Sequence, residues 1–366
     1  MSENASIFTT REGHLSLAEK GKSVLDNLDF TTHQNEHGGS EFNLYTPFYQ
    51  LFPTLWKIPY ALHQNKKAIN LLATYAKITY QDKVIKQLKE QQPSVVISTW
   101  FMLNNILAQA NNQNSFKLIN ILSDPRTFAT IGVHKEAYNL VFDEKAQKQA
   151  IKLGIPKDKA IISGWFVRDR FEAPYNQIQV KRSLGLNPDR LTLLIVAGSE
   201  GTATVLKILP AFIGCPQAVD VIVACGSSKR LASTVRALSK IVSATTPQSQ
   251  VSIYALGFTK EIHRYIQAAD LVMGKAGPNL LFEAIACKTP FFAITHIAGQ
   301  EDGNLDIIKE YKVGWVEEEP IRAIKLLKQI LKNPKSLYKF ESNIEKLAAH
   351  NKRAKTVLKN LILSKK

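Results

Sequence analysis

The chain has 366 residues, of which 45% are hydrophobic, and carries 47 Lys and Arg against 31 Asp and Glu for a net charge of +16. That length and apolar content are enough for two domains with separate cores, which excludes a disordered chain. The basic balance points to an acidic partner, but no nucleic-acid-binding motif accompanies it, so a nucleotide or an anionic lipid surface is expected and nucleic acid is not. Three cysteines, Cys215, Cys225 and Cys287, are too few and too scattered for a disulfide framework or a zinc site, and read as buried free thiols. The first residues, MSENASIFTTREGH, lack the basic and apolar regions of a signal peptide. No apolar run reaches the roughly 18 residues of a bilayer span, so any membrane would be met from its surface.

Residues 5–9 form a short apolar strand, and a turn ending in Gly13-His14 leads into a helix over 15–28. His14 at that turn is a candidate proton acceptor, with an exposed or capping histidine as the plain reading. The polar segment 31–41, with Gly38-Gly39, reads as a loop. Phe42, Tyr45, Phe48, Tyr49, Phe52, Trp56 and Tyr60 follow, broken by Pro47, Pro53 and Pro59 and trailed by Lys66-Lys67. Rings mixed with lysine suit a membrane interface or an acceptor groove as well as a core. Residues 68–91 have helical spacing. Two buried strands, 94–99 and 116–122, bracket a helix, and the second delivers Asp124 at its carboxyl end, where it can orient a base or a hydroxyl or serve as a turn residue. His134 reads as a solvated loop residue. A strand at 138–142, a helix opened by Asp143-Glu144 and closed by Gly154, and a strand at 160–163 complete a first α/β unit.

The polar stretch 174–187 is read as the linker. A second unit begins with a strand at 191–196, a small-residue loop through Gly198, Ser199 and Gly201, and a helix over 205–212. Strands at 219–224 and 251–255 end near Gly226 and at Gly257-Phe258. The richest stretch spans 270–303. Apolar strands at 270–273 and 290–295 enclose Gly274-Lys275-Ala276-Gly277-Pro278 and a helix over 279–287. Proline suits the first turn of a helix, and the helix's free N–H groups and positive dipole end favour an anion, most simply phosphate. Glu283, farther along that helix, can accept hydrogen bonds from sugar hydroxyls. A second turn through Gly299, Gln300 and Glu301 follows the next strand, and ligands of open α/β sheets bind beyond such strand ends. A last short strand at 315–316 and an amphipathic helix over 321–332 follow. From Lys346 onward there are seven Lys or Arg and no acid, a helical tail that either is solvated, crosses back to the first domain or lies on an anionic surface.

The run GKAGPNLLFEAIACKTPFFAI…AGQEDGN resembles the donor-nucleotide site of the diacylglycerol glycosyltransferases, the monogalactosyldiacylglycerol synthases and processive diacylglycerol glucosyltransferases, which are similar to the peptidoglycan enzyme MurG. Lys275, Gly277, Pro278, Glu283, Ala284, Gly299, Gln300, Glu301 and Asn304 match the family pattern. Farther upstream, Gly13-His14 with Ser16, Ala18 and Glu19 resembles the family's first strand–helix turn. Pro53, Leu55, Trp56 and Tyr60 resemble its aromatic acceptor region, and GIPKDKAIISGWFVRDRF its approach to the hinge. Arg11-Glu12, Trp100 and Ala197 stand where the family has small residues, a His and a Gly.

The resemblance implies a GT-B fold of class α/β: two Rossmann-like domains facing across a cleft. The expected bounds are an acceptor-binding domain at 1–174, a UDP-sugar-binding domain at 175–345, and a basic helix at 346–366. It implies inverting, metal-independent transfer of a hexose from a UDP-sugar to diacylglycerol or a related membrane lipid, with no cofactor. His14 would be the base and Asp124 its helper. Gly198, Ser199, Gly201, Gly226, Gly257, Phe258, Lys275, Gly277, Pro278, Glu283, Gln300 and Glu301 would hold the nucleotide-sugar, and Trp56 and Tyr60 the acceptor or membrane. The partners would be a UDP-sugar, a lipid acceptor and an anionic membrane surface, at the inner face of the cell membrane. A MurG-like transferase, an epimerase and a UDP-binding protein without turnover are the alternatives.

Overall fold

The computed structural model describes residues 3–10, 13–38, 66–197, 202–245 and 250–364. They pack as two compact units, Met1–Asp169 with Ala298–Gly303 and Ala349–Lys366, and Arg170–Ile297 with Asn304–Ala348. In the first unit the chain runs β1 (Asn4–Thr9), α1 (Gly13–Asp26), β2 (Thr31–Glu36), α2 (Lys66–Gln91), β3 (Val95–Ser98), α3 (Asn104–Asn114), β4 (Lys117–Ile121), β5 (Tyr138–Val141), α4 (Glu144–Lys152) and β6 (Ala160–Ile162). The strands form one parallel sheet in the order β2-β1-β3-β4-β5-β6. β3 and β4 are buried along their whole length, as strands covered on both faces must be, and this is why they read as apolar runs.

β2 corrects the sequence reading, which made 31–41 a loop. Its residues, TTHQNE, are polar and, but for Asn35, at least partly exposed because, among the described residues, the strand lies at the sheet edge and pairs only with β1. Hydrogen bonding to β1 sets its structure, and its side chains carry no trace of it.

The β4–β5 connection, residues 122–137, is a crossover with no α-helix. Its backbone groups are met from the sheet by Asn120 and Asn139, buried register partners on β4 and β5. Asn120 Nδ2 donates to the Gly132 carbonyl at 2.8 Å, and Asn139 holds His134 through both its N–H (3.1 Å) and its carbonyl (2.9 Å). His134 is therefore half-buried, not solvated as expected, and desolvation lowers its pKa.

The second unit follows as α5 (Gln177–Ser183), β7 (Leu191–Val196), α6 (Thr202–Ile208), β8 (Val219–Gly226), α7 (Lys229–Thr245), β9 (Val251–Gly257), α8 (Ile262–Ala268), β10 (Leu271–Lys275), α9 (Pro278–Ala286), β11 (Phe291–Thr295), α10 (Asp302–Glu310), β12 (Gly314–Val316), α11 (Pro320–Lys332) and α12 (Glu341–Leu363). Its parallel sheet has the order β12-β11-β10-β7-β8-β9. Phe282, Phe291 and Phe292 are fully buried around β10 and β11. Each contributes roughly 1.5–3 kcal/mol by leaving water. Gly314 admits no side chain, because a Cβ would lie 1.8 Å from the Phe291 carbonyl across the β11–β12 pair. The three cysteines are buried and free.

The basic tail is not a solvated helix. From Ala349 onward it packs with the first unit. His350 Nε2 donates to the Phe142 carbonyl at 2.8 Å, and Asn351 Oδ1 accepts from the Trp165 N–H at 3.0 Å. Gly164, at φ +82°, lies so close to the helix that a Cβ would be 2.7 Å from the His350 carbonyl. The buried Lys117 Nζ donates to the Leu361, Ile362 and Ser364 carbonyls, placing a cation on the negative end of the helix dipole.

His37, beyond β2, is buried against Phe8 and Tyr80 and bonded to Gln87. Burial and, to a lesser extent, Lys83 lower its pKa to about 4. The unfolded chain takes up this proton near the ordinary pKa of about 6.5, so the stabilisation is complete above that pH and is lost as pH falls towards 4. The loss should reach about 3 kcal/mol for the first unit. Urea unfolding between pH 7.5 and 4.5 should show this acid slope, with a shallower one in His37→Phe; equal slopes would exclude His37 as the source.

Candidate functional site

Strand order in the first sheet reverses direction at β1, whose chain continues to β2 on one side and then to β3 on the other. A crevice outside the carboxyl ends of β1 and β3 follows from that reversal. His14 is in the first turn of α1, directly after β1. Its Nδ1 lies 2.5 Å from the Thr99 carbonyl at the end of β3. A carbonyl only accepts, so Nδ1 carries the proton and Nε2 presents the lone pair. Thr99 is itself fixed by β1: its N–H donates to the Phe8 carbonyl at 3.0 Å and its hydroxyl to Thr9 Oγ1 at 2.8 Å. Desolvation lowers the His14 pKa more than the Thr99 carbonyl raises it, so the imidazole is neutral at pH 7. The ring is thus an oriented, uncharged base.

Asp124 is half-buried just beyond β4, with Ser123 Oγ 3.3 Å from its carboxylate. It shares the carboxyl edge of the sheet with His14, and β3 lies between their strands. The next residues are anchored by a buried ion pair in which Arg126 donates from Nε (3.1 Å) and Nη2 (2.6 Å) to Asp143 Oδ2. Asp143 also caps α4 by accepting from the Ala146 N–H. Trp100, at the position where the resembling family has His, is buried edge-on against Tyr80 and is part of the core.

In the second sheet the reversal falls between β7 and β10. Gly274 at the end of β10 approaches β7 so closely that a Cβ would lie 2.9 Å from the Val196 carbonyl. The turn after it is held from two sides. The Ala276 N–H donates to the Thr295 carbonyl at 2.8 Å, and Asn304 Nδ2 donates to the Ala276 carbonyl at 2.7 Å. Gly277 caps α9 without a side chain and Pro278 occupies its first turn, so the turn presents backbone and the helix dipole rather than a side-chain cap. Lys275 is half-buried, and Glu283 is buried one to two turns into α9. Gly226 and Gly257 are register partners at the ends of β8 and β9, with Gly226 at φ +56°. Phe258, beside them, is 75% exposed, a free ring face for a planar ligand.

Gln300 and Glu301 lie in the turn that leads into α10, within the Ala298–Gly303 segment that packs with the first unit. Glu301 is buried, and Asp302 Oδ1 accepts from the Gly299 N–H at 2.8 Å. Trp56, Tyr60, Gly198, Ser199 and Gly201 lie outside the described residues. Thr99, Arg126, Thr127 and the clamping role of Asn304 had no signal in the sequence, since each acts through a contact with a distant segment.

The family model for monogalactosyldiacylglycerol (MGDG) synthase matches residues 23–167, and that for the glycosyltransferase family 28 C-terminal domain matches residues 192–361. A processive diacylglycerol beta-glucosyltransferase of Staphylococcus aureus is 24% identical over 266 residues, 72% of this chain and 66% of that protein. A probable chloroplastic monogalactosyldiacylglycerol synthase of Glycine max is 26% identical over 295 residues, 75% of this chain and 52% of that protein. The chain thus spans about two thirds of one relative and about half of the other. Among solved structures, MurG of Acinetobacter baumannii superposes with a TM-score of 0.67 at 12% identity, over 99% of both chains. The two parallel six-stranded sheets with flanking helices are therefore the GT-B fold.

Asn304→Ala removes the donor to the Ala276 carbonyl, and loss of this buried hydrogen bond should lower the stability of the second unit by about 1 kcal/mol in urea unfolding. Unchanged stability would show that the turn keeps its shape without the clamp.

Proposed function

The chain joins a domain of the monogalactosyldiacylglycerol synthase type to a family 28 C-terminal domain, and so belongs to the diacylglycerol glycosyltransferase family; from that premise we propose that it transfers a hexose from a UDP-sugar to diacylglycerol or a related membrane lipid. The observation that carries the proposal is the neutral His14 imidazole, oriented by the Thr99 carbonyl at the β1–β3 reversal.

His14 Nε2 takes the proton of the lipid hydroxyl as its oxygen bonds to the anomeric carbon. The bond from that carbon to the diphosphate breaks on the opposite face, and UDP leaves with the electron pair. One displacement inverts the anomeric configuration. Backbone N–H groups and the dipole of α9 stabilise the diphosphate charge, with no metal in the scheme. Glu283 holds the ribose, Phe258 and the Gly226–Gly257 strand ends flank the base, and Gln300 and Glu301 meet the sugar hydroxyls. Asp124 orients the acceptor hydroxyl.

The acceptor places the enzyme on a membrane surface, the inner face of the cell membrane. α2 supplies support: Leu71, Tyr75 and Ile78, spaced along one helical face, are 72%, 42% and 81% exposed, and Lys67 and Lys77 beside them are exposed too. Apolar side chains rimmed by lysine suit an anionic lipid surface.

His14→Ala should lower kcat by about 10²–10⁴ while leaving UDP affinity intact. Because the base must be neutral and its pKa is lowered, the acid limb of kcat/KM should lie below pH 6.5. Full activity in His14→Ala would remove this residue from the mechanism. Replacing Leu71, Tyr75 and Ile78 together by Ser should reduce sedimentation with phosphatidylglycerol vesicles severalfold; unaltered binding would place the membrane contact elsewhere.

A further inference from the structure

From one side to the other, the second sheet runs β9-β8-β7-β10-β11-β12. Its carboxyl edge meets the parts of a nucleotide in the same sequence. Phe258, Gly257 and Gly226, which flank the base, stand at the ends of β9 and β8. The Gly274–Pro278 turn, with the α9 dipole behind it, stands at the end of β10. β11 comes next, so a nucleotide laid along this edge reaches β11 with the end farthest from its base. His296 is the first residue after β11. Thr295, before it, is the register partner of Lys275, and its carbonyl accepts from the Ala276 N–H at 2.8 Å, so the chain leaves β11 against the glycine turn. The imidazole is half-buried, and its Nδ1 lies 2.6 Å from Glu318 Oε1. Glu318 follows β12 in a run of three glutamates with separate tasks. Glu317 accepts from the Glu319 N–H at 3.1 Å and pairs with Arg322 at 3.3 Å. Glu319 caps α11 by accepting from the Ile321 and Arg322 N–H groups. Glu318 is the one whose side chain reaches back to the end of β11. A carboxylate only accepts, so Nδ1 carries a proton and the ring is held in one orientation.

We propose that His296 is a donor-binding residue that holds the terminal phosphate of UDP through Nε2, and that Glu318 is its positioning residue. This rests on the reading that the Gly274–Pro278 turn takes the diphosphate of a UDP-sugar, and every residue it uses belongs to the second unit. A phosphate oxygen only accepts, so the ring meets it with a proton on each nitrogen. The Glu318 carboxylate on one side and the phosphate on the other both favour that form. When the bond from the anomeric carbon to the diphosphate breaks, charge gathers on this phosphate, and the imidazolium stabilises it beside the α9 dipole.

The experiment is calorimetric titration of the full chain with UDP and, separately, with UMP, which lacks the terminal phosphate. The amide nitrogen of an asparagine falls near the place of Nδ1, so His296→Asn keeps the bond to Glu318 and loses the group at Nε2. Loss of one charge-assisted hydrogen bond should weaken UDP about tenfold in this variant, with UMP affinity and the urea unfolding midpoint unchanged. Glu318→Ala leaves the ring unoriented and should weaken UDP about threefold, again with UMP unchanged. Wild-type UDP affinity in His296→Asn would reduce the pair to a clasp between the ends of β11 and β12 and overturn the proposal. Equal weakening of UDP and UMP would overturn it too, since the effect would then lie in the nucleotide site at large. Wild-type protein that binds UDP but transfers no hexose would sink the transferase reading and leave this one standing; wild-type protein that binds neither nucleotide would sink both.

Discussion

Parallel sheets concentrate their polar business at one edge. All strands point the same way, their side chains are buried on both faces, and the carboxyl ends and following helix N-termini are where backbone groups and charges can meet a ligand. Each unit of this chain contains one reversal of strand order, β1 against β3 and β7 against β10. The first receives His14 and the second receives the Gly274–Pro278 turn. The remaining structure serves to hold these two places rigid. Thr99 is fixed to β1 before it fixes His14, and the glycine turn is tied to both β11 and α10.

How much of this was legible depended on whether the signal was local. The buried strands announced themselves as short apolar runs, and Gly-Pro before an apolar helix announced the phosphate-type turn. Register and composition agreed there, because burial of Phe282, Phe291 and Phe292 needs the same residues that make the pattern visible. β2 was invisible for the opposite reason: an edge strand is held by its neighbour's backbone, so its polar sequence looks like a loop. For the tail the sequence left three placements open, packing on the first domain among them, and did not choose. Its lysines line the outward face of α12, while Asn351 and His350, unremarkable in sequence, make its attachments.

The site was legible by residue type and not by geometry. His14 could be singled out, but its tautomer comes from a carbonyl 85 residues away. Gly303 carries no mark of its own in the sequence, and its need for glycine comes from Thr127, 176 residues earlier. Trp100, read as a departure from the family pattern, is a core residue packed on Tyr80. Such contacts join segments whose spacing carries no periodicity, so only the folded chain reveals them.

A base without a donor, or a donor turn without a base, would each be ordinary; their presence in one chain is what makes a group transfer the central claim. Mass spectrometry of lipids from diacylglycerol vesicles incubated with the protein and a mixed panel of UDP-sugars tests it most directly. The account predicts a lipid heavier than diacylglycerol by one hexose unit, formed in step with UDP release. Release of UDP with the vesicle lipids unchanged, or no product with any donor, would contradict it.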